Sequence, residues 1–140
     1  SAIRYQTMVG WEGNAIKEED FTGVAPYAGP AFDIAVNDLG VTRARLEIVG
    51  TSENPVYKGS GVVNDNSDPN SINAVGFQFQ DLDYQIDNSI IPLRQRTSAR
   101  GESFYINLTY VMWAASIHTS NPQEYAEFML AVFQHMQSKY

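Results

Sequence analysis

AVGFQFQDLDYQIDNSIIPL, residues 74–93, is the stretch on which the reading of the fold turns. From Val75 the side chains alternate, with Val75, Phe77 and Phe79 on one side and Gly76, Gln78 and Gln80 on the other. A period of two is what a strand with one buried and one solvated face needs. A polar interval follows, then a short apolar run of Ile90, Ile91 and Leu93 broken by Pro92. Proline lacks the donor a central ladder requires, which puts this run at a sheet edge or a strand end.

Toward the N-terminus, residues 31–36 alternate Ala31, Asp33 and Ala35 against Phe32, Ile34 and Val36, predicting a strand with an apolar face. Asn37 to Gly40 has turn chemistry, and residues 41–49 alternate again, with Thr42, Ala44, Leu46 and Ile48 as the core face. Two strands joined by a short turn predict a hairpin. Pro26, Gly29 and Pro30 mark a bend before it. Ile3 to Val9 alternate weakly, and Lys17 to Asp20 read as a solvated charged turn.

Ser52 to Pro55 is a loop, residues 56–63 hold a short strand, and residues 64–70 form a loop. Residues 94–101 read as a mobile basic loop. Residues 103–113 give the longest strand, with Phe104, Ile106, Leu108, Tyr110 and Met112 on one face. The C-terminal segment admits two readings. Asn121-Pro122-Gln123-Glu124 is a helix start, and Tyr125, Phe128, Met129, Val132, Phe133 and Met136 then share one face of a helix over 122–137. Residues 125–133 also fit a strand apolar on both faces, with Phe128, Leu130 and Val132 on one of them.

With 140 residues the chain fits a single domain, residues 1–140. Its 44% hydrophobic and 12% aromatic content suits a packed core. A net charge of −7 without a Lys/Arg cluster argues against nucleic acid as a partner. The absence of cysteine excludes disulfides, thiolate metal sites and cysteine nucleophiles. No apolar run is long enough to span a membrane.

Chemistry-bearing patterns are sparse. His118 and His135 stand apart from any Cys, Asp or Glu at ligand spacing. Asn64 to Asp68 opens like a calcium loop, but Pro69 and Val75 occupy the positions where an EF-hand needs Gly and Glu. Asp81, Asp83 and Asp87 read as solvated turn residues, and Gly59-Ser60-Gly61 lacks the lysine of a phosphate loop. Asn107-Leu108-Thr109 matches a glycosylation sequon in mid-strand. The expectation is no enzyme, no catalytic residue, no metal and no cofactor. Trp11 and Trp113, with the loops 64–73 and 94–101, leave a carbohydrate- or protein-binding β-sandwich as one alternative.

The order of motifs in the second half resembles the subunits of chaperone–usher fimbriae, the type 1 and P pilus group. Val75-Gly76-Phe77-Gln78-Phe79, the acidic turn Asp81 to Asp83, Ile91-Pro92-Leu93, and the strand Phe104 to Trp113 with Tyr110-Val111 carry the likeness. Pro30 to Ile34 and an alternating C-terminal segment, Glu124 to Phe133, extend it. The resemblance implies an all-β, immunoglobulin-like sandwich lacking its final strand. It implies a groove lined by Val75, Phe77, Tyr110, Met112, Phe128, Leu130 and Val132, filled by donor-strand complementation. The implied partners are a periplasmic chaperone, an outer-membrane usher and neighbouring pilus subunits, with a host glycan or protein as adhesive target, and the implied destination is the cell surface by way of the periplasm. The competing expectation is an α+β fold with the helix 122–137, belonging to a small shell- or coat-like assembly protein.

Overall fold

The computed structural model describes residues 10–14, 25–51, 62–63, 65–111 and 120–140. In chain order the elements are β1 (Trp11–Asn14), α1 (Ala25–Asp33), a π-helical turn (Ile34–Asp38), β2 (Val41–Thr51), β3 (Val62–Val63), α2 (Gln80–Gln85), a second π-helical turn (Ile86–Ile90), α3 (Ile91–Ala99), β4 (Tyr105–Val111) and α4 (Pro122–Lys139). The expected all-β sandwich is thereby overturned. The fold is mixed, with one sheet in which β2 pairs with β1, β3 and β4. β1 and β3 both run parallel to β2, β1 along Val41 to Arg45 and β3 at Gly50 and Thr51. The sequence expectations for residues 3–9, 17–20, 52–55 and 59–61, and for Met112, Trp113 and His118, lie outside the described residues.

The described chain falls into two compact units, Ser1–Leu46 with Asn88–Asn107, and Glu47–Asp87 with Leu108–Tyr140. β2 is the strand the alternation predicts. Ala44, Leu46 and Ile48 are buried on its core face.

In the first unit the expected strand 31–36 is helical instead. Strand geometry would put Phe32, Ile34 and Val36 on one face; here Val36 is buried while Ile34 is 52% exposed. α1 tolerates Pro26 near its start, whereas Pro30 removes the donor that the Pro26 carbonyl would use. The predicted bend at 26–30 is thus a helix, and it passes straight into the π-helical turn. The run Ile90 to Leu93 is no sheet edge either. Pro92 sits in the first turn of α3, directly after the second π-helical turn, and Ile90 and Leu93, three residues apart, are both buried.

Nor is 94–101 a loop. Arg96 of α3 braces α1, with Nε donating to Asp33 at 2.6 Å, Nη2 donating to the Gly29 carbonyl at 3.4 Å, and the guanidinium 5.8 Å from the Phe32 ring centre. α3 ends in a Schellman cap. Gly101, at φ +74°, donates to the Ser98 carbonyl, and Glu102 donates to the Thr97 carbonyl.

In the second unit the decisive stretch 74–80 makes a turn rather than a strand. The Gly76 N–H donates to the Asn73 carbonyl at 2.8 Å. Val75 is 92% exposed while Phe77 is buried, an arrangement no shared strand face allows. α2 then begins at Gln80 with Asp81 and Asp83 in its first turn, where carboxylates complement the helix dipole. The segment before it is tied by its own side chains. Asp65 Oδ2 accepts from the Asn73 N–H at 2.6 Å, Asn66 Oδ1 from the Asp68 N–H at 2.7 Å, and Asp68 Oδ1 from the Asn70 N–H at 3.1 Å.

The C-terminal ambiguity resolves to helix. Asn121 caps α4 by accepting from the Gln123 and Glu124 N–H groups, and the helix runs to Lys139. Phe128 and Val132, four residues apart, are fully buried while Leu130 is half exposed. The strand reading, and the open groove beside it, are therefore excluded.

Candidate functional site

Two features of the second unit concentrate on α4. The first is a polar cluster at its C-terminal end, around Asp83 of α2. The Asp83 carboxylate accepts from His135 Nε2 at 2.6 Å, from Lys139 Nζ at 2.8 Å and from the Tyr140 hydroxyl at 3.0 Å. Burial works to raise its pKa, but the hydrogen bonds from Lys139, His135 and Tyr140 prevail and hold it below the ordinary value. The same contacts act on the donors. The Lys139 ammonium, bonded to Asp83, is pushed up, and burial together with Asp83 pushes the Tyr140 phenol to about 12. His135 and Lys139 are one helical turn apart, which is why one carboxylate meets both.

Phe79 stacks on the His135 ring, with centroids 4.0 Å apart and planes 11° from parallel. Phe77 stacks on Phe79 in turn at 5.9 Å. Beside them lies an open cavity of about 300 Å³ lined by Ile72, Ala74, Phe77, Phe79, Ala131, Gln134, His135 and Ser138. Ser138 is not activated by His135, because its hydroxyl donates to the His135 carbonyl at 3.0 Å. With Asp83 shared among three donors, the cluster ties the last turns of α4 to α2. Among the described residues, no three His, Cys, Asp or Glu side chains are placed to hold a metal ion.

The second feature is the distribution of charge around α4. Its inward side carries Glu124, fully buried, Glu127, 7% exposed, and His135, bonded to Asp83. At a spacing of three and four residues, Gln123, Ala126, Leu130, Phe133 and Gln137 form the opposite side. All five are exposed and none is charged, with Leu130 at 50% and Phe133 at 53% exposure. A surface helix facing water carries its charges outward; α4 buries both of its acids, Glu124 and Glu127. Near its start the inward side rests on Tyr110 of β4, whose ring meets Tyr125 and Phe128 edge-on at 4.9 and 5.8 Å. Burial, with Tyr125 alongside, pushes the Tyr110 phenol to about 12.

Of the residues expected to line a donor-strand groove, Phe77, Phe128 and Val132 are buried, Tyr110 packs on Phe128, and Val75 and Leu130 point to solvent. Those described belong to a turn, a strand and two sides of a helix. Asp83 and His135, read as a solvated turn residue and an isolated histidine, are instead bonded partners 52 positions apart. The helix reading of 122–137 includes His135 but stops two residues short of Lys139, which the longer observed helix brings one turn on from it.

No family model matches the chain, and neither a curated protein nor a solved structure matches it. Among the described residues no helix is long and apolar enough to cross a membrane.

Proposed function

We propose that the chain is a small α+β assembly protein, a shell- or coat-type subunit that associates with further copies of itself through the outer side of α4. The observation that carries this reading is the inverted polarity of that helix: Glu124 and Glu127 buried, Leu130 and Phe133 exposed on an uncharged side. Exposed apolar groups on an otherwise neutral helix side are covered most economically by the same side of a second copy, because an isologous contact is self-complementary. Exposed Tyr105 and Ile106 on β4, and Trp11 on β1, offer further apolar surface for contacts beyond a pair. The role is structural rather than catalytic. Asp83 and His135 are occupied in holding α4, and the Ser138 hydroxyl is spent on a backbone carbonyl.

The fimbrial reading needed an extended tail awaiting a neighbour's strand, and residues 122–139 are helical. The assembly reading is tested by light scattering coupled to size exclusion, with electron microscopy of the eluted material. Dimers and larger closed particles at micromolar concentration are the expected result. A stable monomer at high micromolar concentration sinks the proposal.

A further inference from the structure

We propose that the carboxylates Asp65, Asp68, Glu124 and Glu127 form a proton-operated latch that docks the first half of α4 on the segment 65–76, closed while Glu127 holds a proton and loosened when it releases it. The geometry of Glu127 carries the argument. Its side chain is 7% exposed, and neither carboxyl oxygen has a hydrogen-bond partner. A buried carboxylate without partners is costly, so such a group keeps its proton instead. Asp65 Oδ1 is likewise buried without a partner, while its Oδ2 is taken by Asn66 and the Asn73 N–H.

Among the described residues the charges acting on Glu127 are Asp65 and Asp68 from the facing segment and Glu124 from its own helix, all of one sign. The loop has little freedom to draw back. A Cβ at Gly76 would lie 2.9 Å from the Asp65 Cα, so the chain passes too close there for any side chain, and the turns at Asn66 and Asp68 hold both aspartates in place.

Burial first, then Asp65, Glu124 and Asp68, raise the Glu127 pKa above the ordinary 4.5. The folded chain therefore binds this proton more tightly than the unfolded chain does. Stability from this source is complete below about pH 4.5 and is lost as the pH rises through the folded-state value. The Asp83 cluster at the other end of α4 works in the opposite sense, losing its contribution as the pH falls. One helix is thus secured at its start by a proton and at its end by a carboxylate, and intermediate pH weakens the first hold alone.

The test follows amide exchange across residues 122–132 of the full chain from about pH 4.5 to about pH 8, corrected for intrinsic exchange rates. Wild type is expected to lose protection progressively, by up to about tenfold per unit the Glu127 pKa is raised. Glu127→Gln, an uncharged mimic of the protonated acid, is expected to hold its protection flat across the range. A ¹³C-carboxyl titration of Glu127 in the wild type gives an independent reading that does not depend on any variant folding. A midpoint at or below 4.5, or identical pH profiles for wild type and E127Q, overturns the proposal. Both readings refer to one chain and hold whether or not copies assemble.

Discussion

The uncharged side of α4 gives the sharpest quantitative expectation, tested by replacing Leu130 and Phe133 with glutamine. Neighbouring Gln123, Gln134 and Gln137 already occupy exposed positions of the same helix, so Leu130→Gln with Phe133→Gln leaves helix propensity and net charge nearly untouched. Fully burying a large apolar side chain stabilises by about 1.5–3 kcal/mol. Leu130 and Phe133 each have about half their surface still to bury, at 50% and 53% exposure, worth about 1 kcal/mol apiece. In a two-fold contact each residue counts twice, giving about 4 kcal/mol, or nearly a thousandfold in the dissociation constant. Sedimentation velocity across a concentration series reads that shift, and circular dichroism checks that helix content is unchanged. A double variant that is fully folded yet associates as tightly as wild type refutes the reasoning, because the outer side of α4 would then contribute nothing to assembly.

Three further expectations test the architecture. Asp83→Asn removes the charge that meets Lys139 and weakens the bond to His135, and it should cost about 1–3 kcal/mol in urea unfolding. Because the Asp83 pKa is lowered, this stabilisation is present above the ordinary value of 3.8 and lost as the pH falls, so wild type and variant should converge in acid. Arg96→Lys should destabilise the first unit nearly as much as Arg96→Ala, by about 1 kcal/mol in thermal unfolding, because an ammonium cannot reach Asp33, Gly29 and Pro92 together; full rescue by lysine contradicts the fork geometry. Gly101→Ala should cost about 1 kcal/mol, since φ +74° closes the cap of α3 and a Cβ strains it although the space around it is open; an unchanged melting temperature rules this out.

Which parts of the fold could be read from the residues follows from how far each pattern extends. β2 was legible because Thr42 to Ile48 alternate over a full strand length, and Ala44, Leu46 and Ile48 of the predicted core face are buried. The start of α4 was legible from Asn121, Pro122 and Glu124 alone, because a cap is made within four residues. The stretch 74–80 misled for the opposite reason. Three alternating pairs are too few to separate a strand from a turn, and Phe77 and Phe79 owe their places to each other and to His135, more than fifty residues away. Residues 31–36 misled because their alternation is as short as that of 74–80, and the run 90–93 because Pro92 read as a sheet-edge breaker, whereas it occupies the first turn of α3.

The polarity of α4 stood behind that same ambiguity. As a strand, residues 124–133 mix charged and apolar side chains on both faces, and nothing looks misplaced. Wound at 3.6 residues per turn, the same residues sort completely, with acids to the inside and Leu130 and Phe133 to the outside. Burying two acids and exposing two large apolar groups are each unfavourable for an isolated chain. Each becomes favourable under a specific condition, protonation for Glu127 and a second copy for Leu130 and Phe133. The two conditions act on opposite sides of one helix. Glu127→Gln should therefore firm the inner side at neutral pH without weakening association, and the glutamine pair at 130 and 133 should abolish association without altering the pH profile of α4. Loss of association in E127Q, or a flattened pH profile in the double variant, would show that the helix does not keep the two functions apart.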